Sequence, residues 1–153
     1  MQFPGLKLVL NIKFSLPEYV EESEDLAYMS LPFFTKISEN PFKSKKRHYS
    51  IDFNYNEMVI EELKLILPEE YTMLEIPEYT KLRVSDYTFS KMLFANEEYI
   101  KCSRIKNLRT RKIDKKYYKK LKKMYEGIIA SDEQQVIFKK VQDKSLSSKS
   151  EEG

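Results

Sequence analysis

The sequence predicts a mainly β protein: an antiparallel β-sandwich with one amphipathic helix near its C-terminus, followed by a last strand. Three observations carry this. Through the first hundred or so residues apolar side chains recur at every second position, the rhythm of strands with one buried face. Proline, asparagine and acidic turns interrupt that rhythm at short intervals. After Asp114 the apolar spacing changes to that of a helix.

Taken in order, LKLVLNIKFSL at 6–16 puts Leu8, Leu10, Ile12, Phe14 and Leu16 on one face, and Pro17, which cannot donate to a ladder, closes it. The segment EYVEESED at 18–25 reads as a solvated acidic loop. Strands are expected at 26–34, 48–53, 58–67, 71–76 and 80–85, with Glu61 interrupting the apolar face formed by Val59, Leu63, Leu65 and Leu67. Residues 86–94 alternate through Tyr87, Phe89 and Lys91 to Leu93, and a turn at Asn96-Glu97 leads into 98–108, forming a hairpin. LPEY at 16–19, LPEEY at 67–71 and IPEY at 76–79 share a turn chemistry at no fixed period. Tyr118, Leu121, Tyr125 and Ile128 then define the helix face. Asp114 is placed to cap the helix, Ser131-Asp132 to end it, and 136–141 to form the final strand.

A chain of 153 residues is the size of one domain, here assigned to 1–142, and the apolar-poor stretch 143–153 is expected to be a disordered tail. With only three glycines, turns that need positive φ must rely on Asn and Asp. Residues 1–20 lack the continuous apolar run of a signal peptide, and no stretch approaches the ~20 apolar residues of a membrane span. Either the chain is intracellular, or it is an internal or C-terminal piece of a longer exported protein.

Candidate chemistry is sparse. Cys102 and His48 are each unique, so a Cys-His pair is the one thiol mechanism available; the ordinary reading is a structural cysteine and a surface histidine. The ligands of a zinc site cannot be assembled, the acidic residues lack calcium-loop spacing, and there is no Gly-rich phosphate loop. No catalytic residue, metal or cofactor is therefore expected. The strongest bias is electrostatic: residues 101–123 hold twelve Lys and Arg against one acid, Asp114. Lys115, Lys116, Lys119, Lys120, Lys122 and Lys123 could grip the phosphates of a nucleic acid, or simply form the solvated side of the helix. The second reading is the simpler one.

ENPFKSKKRHYSIDF at 39–53 resembles the Asn-Pro-Phe, then Arg-x-Tyr-Pro-Val-Asp-Phe signature of a C-terminal domain of unknown function that follows the transglutaminase-like core of large exported bacterial proteins. LILPEEYTMLEIPE and YYKKLKKMYEGIIASDEQQVIFKK are similar to that family's following segment and its closing helix and strand. Ser50 and Glu70 stand where the family usually has Pro and Gly, and a Glu disfavours positive φ. The resemblance implies that the catalytic Cys, His and Asp lie in the preceding domain. It also implies a non-catalytic accessory domain whose partner is that core, or another protein or peptide, in the periplasm or cell envelope. On the motif, Asn40 and Pro41 would form the turn, Phe42 would anchor it, and Tyr49, Ile51 and Phe53 would start a central strand beside Asp52. Arg47 would fix the loop through a carboxylate or backbone carbonyls.

Overall fold

The computed structural model describes residues 13, 15, 19–31 and 34–141; the strand expected at 6–16, apart from Lys13 and Ser15, and the tail at 143–153 lie outside them. The described chain is mainly β and antiparallel. Its elements are β1 (Glu21–Ser23), β2 (Leu26–Ser30), β3 (Ile51–Asp52), β4 (Glu57–Ile66), β5 (Tyr71–Glu75), β6 (Thr80–Val84), β7 (Tyr87–Ala95), β8 (Tyr99–Leu108), β9 (Lys112–Ile113), a 3₁₀ turn (Lys115–Tyr117), α1 (Tyr118–Glu133) and β10 (Gln135–Lys140). They form one four-stranded sheet in the order β4-β8-β7-β6, a second in the order β1-β2-β10-β5, and a ribbon of β3 with β9.

The larger sheet is a floor shared by two roofs. Its inward positions Tyr87, Phe89, Val84 and Leu108 pack beneath Tyr118, Leu121, Met124, Tyr125 and Ile128 of α1 in one apolar cluster. Inward positions farther along the same strands, Leu93, Ile100 and Cys102, pack against Ala27, Met29, Val136 and Phe138 of the second sheet in another. Sheet faces sheet over one half only, and the helix covers the rest. Gly127 permits the close approach of helix to floor, since a Cβ there would lie 3.0 Å from Leu82 Cδ1 on β6.

Turn chemistry follows from the scarcity of glycine. The described left-handed residues are Glu24, Asn54 and Ser85, and of these one is the expected Asn. Glu24 and Ser85 each open a two-residue hairpin, fixed by the pairs Ser23↔Leu26 and Val84↔Tyr87, where strand twist demands positive φ. Glu70 escapes that demand: its turn closes by Tyr71 N–H donating to the Pro68 carbonyl at 3.0 Å, without a left-handed residue. Asn96 holds the β7–β8 hairpin by accepting from the N–H groups of Glu98 and Tyr99. Asp114 accepts from Lys116 N–H at 2.8 Å and caps the 3₁₀ turn that leads into α1.

Several expectations need correction. The acidic segment 18–25 is not all loop, because Glu21–Ser23 pairs with β2 as an edge strand. Its charges suit an edge: Glu22 accepts from Tyr71 Oη and Lys140 Nζ, each at 2.7 Å, which tie it across to β5 and β10. The segment 48–53 does not start a central strand. Its ladder is two residues long, pairs with β9 alone, and ends where Asn54 turns left-handed with its N–H on Asp52 Oδ1. Tyr49 lies outside it and is 83% exposed. The helix ends at Glu133, one residue past the expected Ser131-Asp132 stop, with both of those residues buried in its last turn and the chain extended at Gln134.

Candidate functional site

A polar row crosses the floor sheet at the boundary between its two roofs. The register aligns Glu61, Arg104, Lys91 and Thr80 on β4, β8, β7 and β6 in turn. Alternation along each strand points all four inward, in line with buried apolar neighbours. Arg104 and Lys91 are each 1% exposed, and Asp132, descending from the last turn of α1, is 0% exposed. Arg104 clamps Asp132 through Nε to Oδ1 at 3.0 Å and Nη2 to Oδ2 at 2.8 Å, while its Nη1 donates to Thr35 Oγ1 at 2.9 Å. Asp132 Oδ2 also accepts from Ile37 N–H at 3.1 Å, and Thr35 donates onward to Glu61. Lys91 Nζ donates to the Ser131 carbonyl, one of the groups a helix C-terminus leaves unpaired, and Ser131 Oγ donates to Thr80 Oγ1 at 3.0 Å.

This row is a closed network. Burial pushes the Lys91 ammonium below its ordinary value, and the Asp132 charge pulls it partway back. Among the described residues no buried side-chain nitrogen or oxygen lacks a partner. What the row accomplishes is positional: it ends the helix roof, starts the sheet roof, and draws the segment at 35–37 over the junction.

Cys102 and His48 are not brought together in one environment. Cys102 is buried among Leu93, Ile100 and Phe138, where burial pushes its thiol up. His48 lies exposed in a surface concavity with Lys45, Lys46, Arg47, Lys115, Lys116 and Lys119. Among the described residues no group of three or more His, Cys, Asp or Glu is placed to hold a metal.

The Asn-Pro-Phe motif forms a clasp. Asn40 Oδ1 accepts from Phe42 N–H and its Nδ2 donates to the Lys122 carbonyl, both at 2.9 Å. Pro41 sits exposed between them. Phe42 is buried, edge-on to Phe53, Tyr118 and Tyr125. From the helix side, Tyr118 Oη donates to the Ser44 carbonyl at 2.9 Å, and Lys122 Nζ to the Lys43 carbonyl at 3.3 Å. Asp52 holds its own turn and lies 3.9 Å from Arg111 Nε. Arg47 does not fix the loop: it is exposed, without a hydrogen bond or ion pair to a described residue, because the helix-borne donors already hold the loop at 43–44.

Folding breaks up the basic segment at 101–123. Arg104 is interior, Lys106 pairs with Glu57 at 2.5 Å, and Lys122 is half-buried on the clasp, whereas Lys115, Lys116, Lys119, Lys120 and Lys123 are exposed. The outer face of the floor sheet carries exposed apolar groups among its polar ones. Met58, Ile60 and Ile66 of β4 and Met92 and Phe94 of β7 are each more than half exposed. Lys64 and Lys101 lie over the Tyr99 ring on the same face, at 4.4 and 5.3 Å from its centroid. Sequence reading, which followed the inward positions, missed this face; the alternate set of β4, Met58-Ile60-Ile66, was its signal. Among the described residues no helix is long and apolar enough to cross a membrane.

Comparison with curated proteins gives no match, and neither does comparison with solved structures. Comparison with protein families matches residues 25–138 to "Domain of Unknown Function with solved-structure structure (DUF3858)". The match runs from the β1–β2 turn into β10, leaving out the edge strand β1, and so takes in the helix roof, most of the sheet roof, the floor and the polar row; the chain belongs to the DUF3858 family.

Proposed function

We propose that the chain serves as a non-catalytic accessory domain of a larger exported protein, docked on a preceding transglutaminase-like core in the periplasm or cell envelope. The reaction chemistry belongs to that core, and this domain's work is scaffolding or recognition. The observation that carries the reading is the outer face of the floor sheet, where Met58, Ile60, Ile66, Met92 and Phe94 stand exposed on two strands of one surface. Large apolar side chains left exposed on one sheet face mark a candidate interaction site, and burying them against a neighbour is favourable by ~25 cal/mol per Å². Lys64, Lys101 and Glu62, interspersed on that face, would set orientation rather than affinity. The resemblance of the Asn40–Phe53 motif to the domain that follows such cores supports the choice of partner.

Reconstitution tests it. The chain mixed with the core encoded upstream in the same reading frame should form a complex, and Met92→Asp together with Phe94→Asp should weaken it at least ~10-fold, about 1.4 kcal/mol. A frame with no such core, or a complex indifferent to both substitutions, would overturn the proposal.

A further inference from the structure

The basic loop at 45–48 and the 3₁₀ turn and first turn of α1 are far apart in sequence, yet they face one another across a concavity of about 360 Å³. Lys45, Lys46, Arg47, Lys115, Lys116 and Lys119 line it, and none of the six has an ion-pair partner among the described residues. We infer that this concavity binds a compact polyanion, a molecule carrying two or more phosphate or sulfate groups close together. The inference is independent of the docking face.

Three features support it beyond the number of charges. Six cations held around one hollow repel one another, and the clasp holds them there: Asn40 donates to the Lys122 carbonyl, Lys122 Nζ donates to the Lys43 carbonyl, Tyr118 Oη donates to the Ser44 carbonyl, and Phe42 roots the loop in the core. Secondly, the hollow has the size of a small-ligand site, roughly 300–1,000 Å³, and its walls come from two separate segments. Thirdly, the arrangement suits a compact ligand better than a nucleic-acid strand. An extended strand needs a basic groove with aromatic platforms. Here Arg104 and Lys106 are removed from the stripe by their carboxylate partners, and the lining aromatic, Tyr118, has its ring buried and its hydroxyl engaged. Asp114 already occupies the Lys116 amide, so the site rests on side-chain cations and not on a helix terminus.

Calorimetric titration of the full chain with inorganic tripolyphosphate at low and moderate salt tests this. Binding should weaken with salt, and Lys45→Ala, Arg47→Ala and Lys116→Ala combined should cost at least ~10-fold in affinity. Lys120→Ala, Lys123→Ala and Lys139→Ala, which remove equal charge from outside the hollow, should cost under ~2-fold. Both triples alter exposed side chains, so unchanged melting verifies their folding. Vesicles bearing a multiply phosphorylated headgroup, run in parallel, separate sources. Binding competed by tripolyphosphate assigns the headgroup; tripolyphosphate binding alone assigns a soluble anion. No binding at low salt, equal losses for both triples, or a single-stranded oligonucleotide bound tightly and weakened alike by both would overturn the inference.

Discussion

Lys91 and Arg104 lie inside the molecule with every donor group answered, whereas Lys45, Lys46, Arg47, Lys115, Lys116 and Lys119 crowd a surface hollow with no acid among the described residues paired to them. The interior pair is architectural: it marks where the helix roof gives way to the sheet roof, and its charges are matched by Asp132 and a helix-terminal carbonyl. The surface set is unmatched, which leaves it available to an outside anion. Similar side chains thus do opposite work, and the difference lies in whether the fold brings a carboxylate or a helix-terminal carbonyl to them.

The sharpest way to break that comparison is to remove the interior acid. Asp132→Ala strands Arg104 in a dry interior and should destabilise the protein by about 3–5 kcal/mol in denaturant unfolding. Replacing both partners, Arg104→Met with Asp132→Leu, should cost less than either single change; a double mutant as damaged as the sum of its singles would refute the paired-charge account.

An intermediate effect concerns the helix-roofed half, where Tyr87 and Tyr125 share a hydroxyl–hydroxyl bond of 3.2 Å and burial raises both above the ordinary phenol value. The folded state therefore keeps protons that the unfolded chain releases above pH 10.0, so stability is full below that pH and falls as pH rises through it. Each group contributes a slope of at most ~1.4 kcal/mol per pH unit. Tyr87→Phe with Tyr125→Phe should flatten this alkaline loss, and an unchanged slope would show that neither tyrosine causes it.

Two smaller effects complete the series. Ser85→Gly relieves the left-handed cost of the β6–β7 turn and should gain up to ~1 kcal/mol, offset in part by the entropy of a glycine in the unfolded chain. Neutralising Lys45, Arg47 and Lys116 should raise stability by no more than ~0.5 kcal/mol, since the charges are exposed and screened. A marked loss there would mean that the surface set, too, is structural.

Much of the floor was legible because its strands are long: 87–95 shows its parity in residue type, and 57–66 and 99–108 show it in part, with Glu61 and Arg104 inside and Met58, Ile60 and Ile66 outside. The polar row left local traces, Glu61 breaking an apolar face and Lys91 standing in line with Tyr87, Phe89 and Leu93. Its partner Asp132 left none, since an acid in the last turn of a helix reads as a stop signal until tertiary contact buries it. The second sheet and the β3–β9 ribbon were harder to read. β1 is three polar residues paired on one side, and β3 and β9 are two residues each, too short for any period to register. The basic hollow was visible as two separate charge runs, and their meeting depends on a clasp between Asn40 and Lys122 that no local pattern encodes.

The central claim is that the outer face of β4 and β7 is a docking surface. Hydroxyl-radical footprinting of Met58 and Met92, compared between the isolated chain and the larger parent protein proposed above, measures this directly. The account predicts rapid oxidation of both in the isolated chain and strong protection in the parent. Equal oxidation in the two samples would contradict it.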